Sequence, residues 1–147
     1  MKTLARQLTL DLYNCNEKRF NDADAIKTAV EGVFGYETEI ISNHLKDEHF
    51  GLVAAFNEGH VALHIYSAFK YVAVDIFTCD ESEESESLAK GLIKYFQPEK
   101  IKSTFLKRGD FGLEKDIKPK IKTRVAPLRK VRNAGEKVVN NLVRRGK

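Results

Sequence analysis

One carboxylate, two imidazoles and one thiol fall close together in the middle of this 147-residue chain. Glu58-Gly59-His60 opens an alternating run that passes through His64, and a second alternating run, Tyr71 to Cys79, ends in Thr78-Cys79. Residues four apart on a strand share a face, so His60 and His64 project to the same side. Imidazoles move protons near neutral pH, and a thiol reacts or donates a proton where neighbouring charge lowers its pKa. No two histidines form a helical pair around a carboxylate, and Cys15 and Cys79 lie in no CxxC or Cys/His spacing, so no metal site is expected. Gly59 offers neither nucleophile nor proton. The plain reading has Glu58 shaping a turn, Gly59 supplying permissive backbone angles, and Cys79 as a buried, inert thiol.

The elements that must position these groups follow from periodicity. Thr3 to Tyr13 alternates with Leu4, Leu8, Leu10 and Leu12 on one side, a half-buried strand. Asn14-Cys15-Asn16 has turn chemistry. Asn21 or Asp22 caps a helix through Ala25, Ile26, Ala29, Val30 and Val33, with Gly35 just past its end. Glu37–Leu45 reads as a strand, residues 46–49 as a charged connection, and 51–56, 60–66 and 71–79 as three strands with short links, an antiparallel meander. Acidic residues from Asp80 to Ser87 favour a helix N-terminus, and Leu88, Ala89, Leu92, Ile93 and Phe96 give that helix its apolar face before Pro98. Residues 100–106 form a last strand. The expected class is α+β: one antiparallel sheet with two helices on one face.

Charge divides the chain. Residues 114–147 hold 12 Lys/Arg against 3 Asp/Glu, a balance of +9, while residues 1–113 hold 13 against 18, a balance of −5. Residues 114–126 read as a Lys-rich linker, and Pro127 opens a basic amphipathic helix with a stripe of Leu128, Val131, Val138, Val139, Leu142 and Val143, weakened at Gly135. Two domains are therefore expected, 1–113 and 114–147. The basic segment suits packing against the body or a partner, or attachment to nucleic acid through phosphate. With no Trp or Phe on its stripe, membrane attachment is the weakest option. No apolar run reaches the ~20 residues that span a bilayer, and Met1 to Arg6 lacks the apolar stretch of a signal peptide. A cytoplasmic protein with reduced thiols is expected.

The order of elements, with Arg6-Gln7-Leu8, Asp11-Leu12-Tyr13-Asn14-Cys15, Glu58-x-His60, His64, Asp75-Ile76-Phe77-Thr78-Cys79 and Arg108-Gly109, resembles the small prokaryotic S-adenosylmethionine decarboxylase proenzymes of polyamine (spermidine) biosynthesis. The resemblance covers residues 3–113. It implies the family's sandwich fold and a homodimer built by sheet packing. It also implies self-cleavage between positions 58 and 59. A serine after the glutamate attacks the preceding carbonyl, and elimination then leaves an N-terminal pyruvoyl group that serves as the electron sink for decarboxylation. His64 takes the part of processing base and Cys79 that of proton donor, with Glu58 and His60 at the ligand.

Three positions depart from that pattern. Gly59 stands at the pyruvoyl-forming serine, Phe50-Gly51 where a processing serine belongs, and Tyr66-Ser67-Ala68 replaces Trp-Pro-Glu, so the carboxylate position is alanine. Glycine has neither the attacking oxygen nor the Cβ that becomes the pyruvoyl methyl. No pyruvoyl cofactor is therefore expected, and His64 and Cys79 become vestigial. The leading expectation is a binding or regulatory subunit. It would take S-adenosylmethionine or a related nucleoside or amine, as a homodimer or with an active paralogue. An enzyme using different chemistry, and a structural or nucleic-acid-associated module acting through the basic segment, are the alternatives.

Overall fold

The computed structural model describes residues 3–35, 38–79 and 84–110. Asp80 to Glu83, the domain boundary at 113/114 and the basic segment lie outside the described residues. Within them are β1 (Thr3–Tyr13), α1 (Ala23–Phe34), β2 (Glu39–His44), β3 (His49–Phe56), β4 (Gly59–Tyr66), β5 (Tyr71–Cys79), α2 (Glu84–Phe96) and β6 (Lys100–Asp110). The expected α+β class holds. All strands pair antiparallel in one sheet ordered β2-β3-β4-β5-β1-β6, with β2 to β5 as the meander.

Alternation sends one set of side chains to the helices and the other to an open face. Leu10 and Leu12 of β1, Leu52 and Ala54 of β3, Val61, Leu63 and Ile65 of β4, and Val72, Val74 and Ile76 of β5 are buried beneath Ile26 and Val30 of α1 and Leu88, Leu92 and Phe96 of α2. Asp22 caps α1 by accepting the Asp24 N–H at 2.9 Å. Gly35 closes it at φ +68°, the left-handed region where glycine carries no Cβ penalty. The helices approach closely at Gly91, where an added Cβ would lie 2.7 and 2.9 Å from the two Val33 methyls.

Several boundaries move. His49 belongs to β3 rather than to the charged connection. The preceding turn closes with Leu45 N–H donating to the His49 carbonyl at 2.7 Å, Asp47 and Glu48 both taking φ of +57°. Gly59 is a strand residue paired with Thr78, and its φ is not positive, which corrects the expectation of permissive turn angles. β6 runs on to Asp110 and includes Arg108 and Gly109. Leu4, expected inward with Leu8 and Leu10, is 55% exposed because the helices do not extend over that end of β1.

Candidate functional site

The motif side chains of His60, His64, Phe77 and Cys79 lie on the open face, in two groups set by strand register, while Thr78, the partner of Gly59, is buried on the helix side. The first surrounds the Glu58-Gly59 link. The two-residue loop Asn57-Glu58 joins β3 to β4, and the Cys79 N–H donates to the Glu58 carbonyl at 2.6 Å, tying that peptide to the end of β5. Gly59 lies so close to β5 that a Cβ would overlap the Phe77 carbonyl oxygen and stand 2.8 Å from the Phe77 carbonyl carbon and 3.1 Å from Thr78 Cα. These are backbone atoms of a paired strand and cannot swing aside. Close approach, not turn geometry, is what requires glycine here.

His60 stacks on Phe77, the rings 6° from parallel with centroids 5.4 Å apart. Beyond Phe77, Gln7 accepts from Arg108 at 2.8 Å. Cys79 lies opposite Ala5 on this face and is exposed, which corrects its expected burial: odd-numbered residues of β5 face away from the helices. Cys15 is the buried thiol, pushed up to about 11 by burial. One end of the face thus holds an imidazole on an aromatic ring, a free thiol and a guanidinium.

His64 is not among them. Five strand residues from Gly59 correspond to about 17 Å. It pairs across to Gly51 of β3. His64 Nδ1 lies 2.8 Å from His49 Nε2, and the His49 ring stacks on Tyr66 at 4.1 Å between centroids. Tyr66 continues to Tyr71 and Tyr71 to Tyr13, with centroids 5.8 and 5.4 Å apart. The Tyr71 hydroxyl donates to Asp11, and burial, then that bond and the Asp11 charge, hold the phenol well above its ordinary pKa. A cavity of about 470 Å³ opens here, lined by His64, Tyr66, Phe69, Tyr71 and Ala73. Ala68, which the resemblance sets at the family's carboxylate position, lies exposed in the turn between β4 and β5. Beside that turn, Glu48 accepts at its backbone carbonyl from the Ser67 hydroxyl at 3.1 Å.

Sequence reading missed His49 and Glu48, both hidden in a charged run. The signal was available: a two-residue loop at 57–58 pairs residues whose numbers sum to 115, which sets Gly51 against His64 and His49 against Tyr66. Among the described residues no group of three metal-ligating side chains could hold an ion.

A single antiparallel sheet with both helices on one face and a histidine-bearing open face defines the class. The S-adenosylmethionine decarboxylase family model matches residues 6–109, and the chain belongs to that family. It is 28% identical over 113 residues to the S-adenosylmethionine decarboxylase proenzyme of Methanococcus maripaludis, covering 74% of this chain and 93% of that one. The proenzyme of Thermodesulfovibrio yellowstonii is 30% identical over 113 residues, with 74% and 84% covered. The adenosylmethionine decarboxylase structure from Aquifex aeolicus superposes with a TM-score of 0.67 at 19% identity, covering 74% of this chain and 93% of that one, a likeness of fold.

The pyruvoyl group implied by the family does not fit the residues present. Position 59 has no hydroxyl to attack the Glu58 carbonyl, and the space a serine Cβ needs is taken by the β5 backbone. No step of decarboxylation is therefore derived through it.

Proposed function

We propose that this chain is a non-processing member of the decarboxylase family of polyamine biosynthesis, staying uncut at Glu58-Gly59 and acting as a ligand-binding or regulatory subunit. One observation carries the reading: the β4 backbone at Gly59 lies against the Phe77 carbonyl with no room for a Cβ. The strand pair leaves no space for a serine side chain at this position, while the Cys79 N–H holds the Glu58 carbonyl that a nucleophile would attack.

The retained groups suit a ligand of the family's substrate class. The tyrosine-lined cavity near His64 offers aromatic faces, which attract a sulfonium or ammonium centre. At the other end, the His60–Phe77 stack suits a planar base and Arg108 a carboxylate. The two ends are too far apart on one sheet to serve one small ligand. A second copy packed sheet to sheet with strands reversed sets the Gly51/His64 end of one over the Gly59/Cys79 end of the other. The exposed Ile41, Val53 and Leu106 on the same open face support that packing. An active paralogue would fill the same place.

Calorimetric titration of the purified chain with S-adenosylmethionine tests ligand binding. Saturable binding that weakens at least tenfold in Tyr66→Ala is expected; no heat at millimolar ligand would overturn it. Co-expression with an active family member tests the regulatory part. A mixed oligomer with altered decarboxylase activity is expected, and homomers with unchanged activity would refute it.

A further inference from the structure

The helix side of the sheet is left incomplete at β6. α2 lies over β5 and β1, and α1 over β3. Register places Phe105 beside Leu8 and Ile101 beside Leu12 on the helix side, yet Ile101 is 46%, Phe105 49% and Leu4 55% exposed. Leu8, beside Phe105, is only partly buried against the core. β6 is also an 11-residue edge strand, a kind of edge that folded proteins commonly cover.

We propose that residues 127–143 of the same chain dock as a third helix in the trough between α2 and β6. Chain order favours it. β1 is followed by α1 and β5 by α2, each helix returning over the helix side, and β6 is followed by residues 111–147. The 16 residues from 111 to 126 can extend up to ~50 Å, so the segment reaches the trough in either orientation. Its 17 residues would run ~25 Å as a helix, against ~35 Å for the strand. Leu128, Val131, Val138 and Leu142 recur at the three- and four-residue spacing of a single apolar stripe, matching the narrow line of Leu4, Phe105 and Ile101.

Charge acts in two directions. Residues 114–147, at +9, are attracted to a body of −5, but Arg6 and Lys107 face each other on the helix side of the trough itself. Local ion pairs therefore do not hold the segment; apolar burial does, and screening salt leaves it in place. The docking segment lies outside the family match, and the inference stands independently of whether position 59 is cut.

Hydrogen exchange by mass spectrometry on the full chain tests it. Amides of residues 128–143 are expected to exchange about tenfold or more slowly than an unstructured chain, unchanged in 0.5 M salt. Phe105→Asp and, separately, Leu142→Asp should each return them to unstructured rates while β4 and β5 stay protected. If Phe105→Asp loosens β4 and β5 as well, Leu142→Asp decides, since it alters no residue of the sheet. Unstructured rates in the unaltered chain, protection that survives both substitutions, or protection lost in salt would overturn the proposal. So would protection that falls on hundredfold dilution, which assigns the segment to a second copy.

Discussion

At the scale of single residues, the proposed function rests on Gly59. Its Cα lies where β4 touches the β5 backbone, and a side chain there displaces strand rather than solvent. Gly59→Ala is expected to destabilise by about 1–3 kcal/mol in urea unfolding, the range for overpacking a fitted site; an unchanged midpoint would show that the strands part freely. Gly59→Ser should carry the same penalty and remain uncut. The two thiols give a second prediction. A thiol-reactive disulfide reagent at neutral pH should label Cys79 rapidly and Cys15 only on unfolding, with the fast phase absent in Cys79→Ser. The raised Cys15 pKa means the folded state keeps a proton that the unfolded chain loses above its ordinary value of 9.0. Stability from this group is therefore full below pH 9 and declines as pH rises toward 11. Cys15→Ala should flatten that decline in unfolding curves taken from pH 8 to 11.

At the scale of elements, alternation made the meander legible, because period-two burial marks a sheet with one covered face. Leu10 and Leu12, Val61 to Ile65 and Val72 to Ile76 follow it without exception. The same parity was applied to His60 and His64 but not to Cys79, and that is why its exposure was missed. The charged surroundings of His49 masked the start of β3, since Lys46, Asp47 and Glu48 read as loop and the turn that ends there depends on backbone angles no composition reveals. The role of Gly59 was visible only as a missing side chain; that its space is filled depends on strand register. The contact of α1 with α2 allows a magnitude argument. Gly91→Ala gains up to ~1 kcal/mol of helix propensity, but its Cβ meets the stiff, β-branched Val33 at 2.7 Å. Overpacking costs ~1–3 kcal/mol, so a net loss of about 1 kcal/mol in thermal or chemical unfolding is expected. Asp22→Ala, which removes the α1 cap, should cost a similar ~1 kcal/mol.

At the scale of the whole molecule, one sheet carries two half-sites on its open face and an unfilled trough on its helix side. The half-sites lie at opposite ends, His60 and Cys79 at one and His64 with Gly51 at the other, so the proposed complete site draws on two sheets face to face. If the proposed pairing holds, Val53→Asp on the open face lowers the sedimentation coefficient toward that of a monomer without altering circular dichroism; an unchanged coefficient would contradict the pairing. The proposed reading of the open face rests on a chain that remains whole. Denaturing mass spectrometry of the purified protein tests that most directly: a single species at the mass of all 147 residues is expected, and two fragments divided between Glu58 and Gly59 would contradict it.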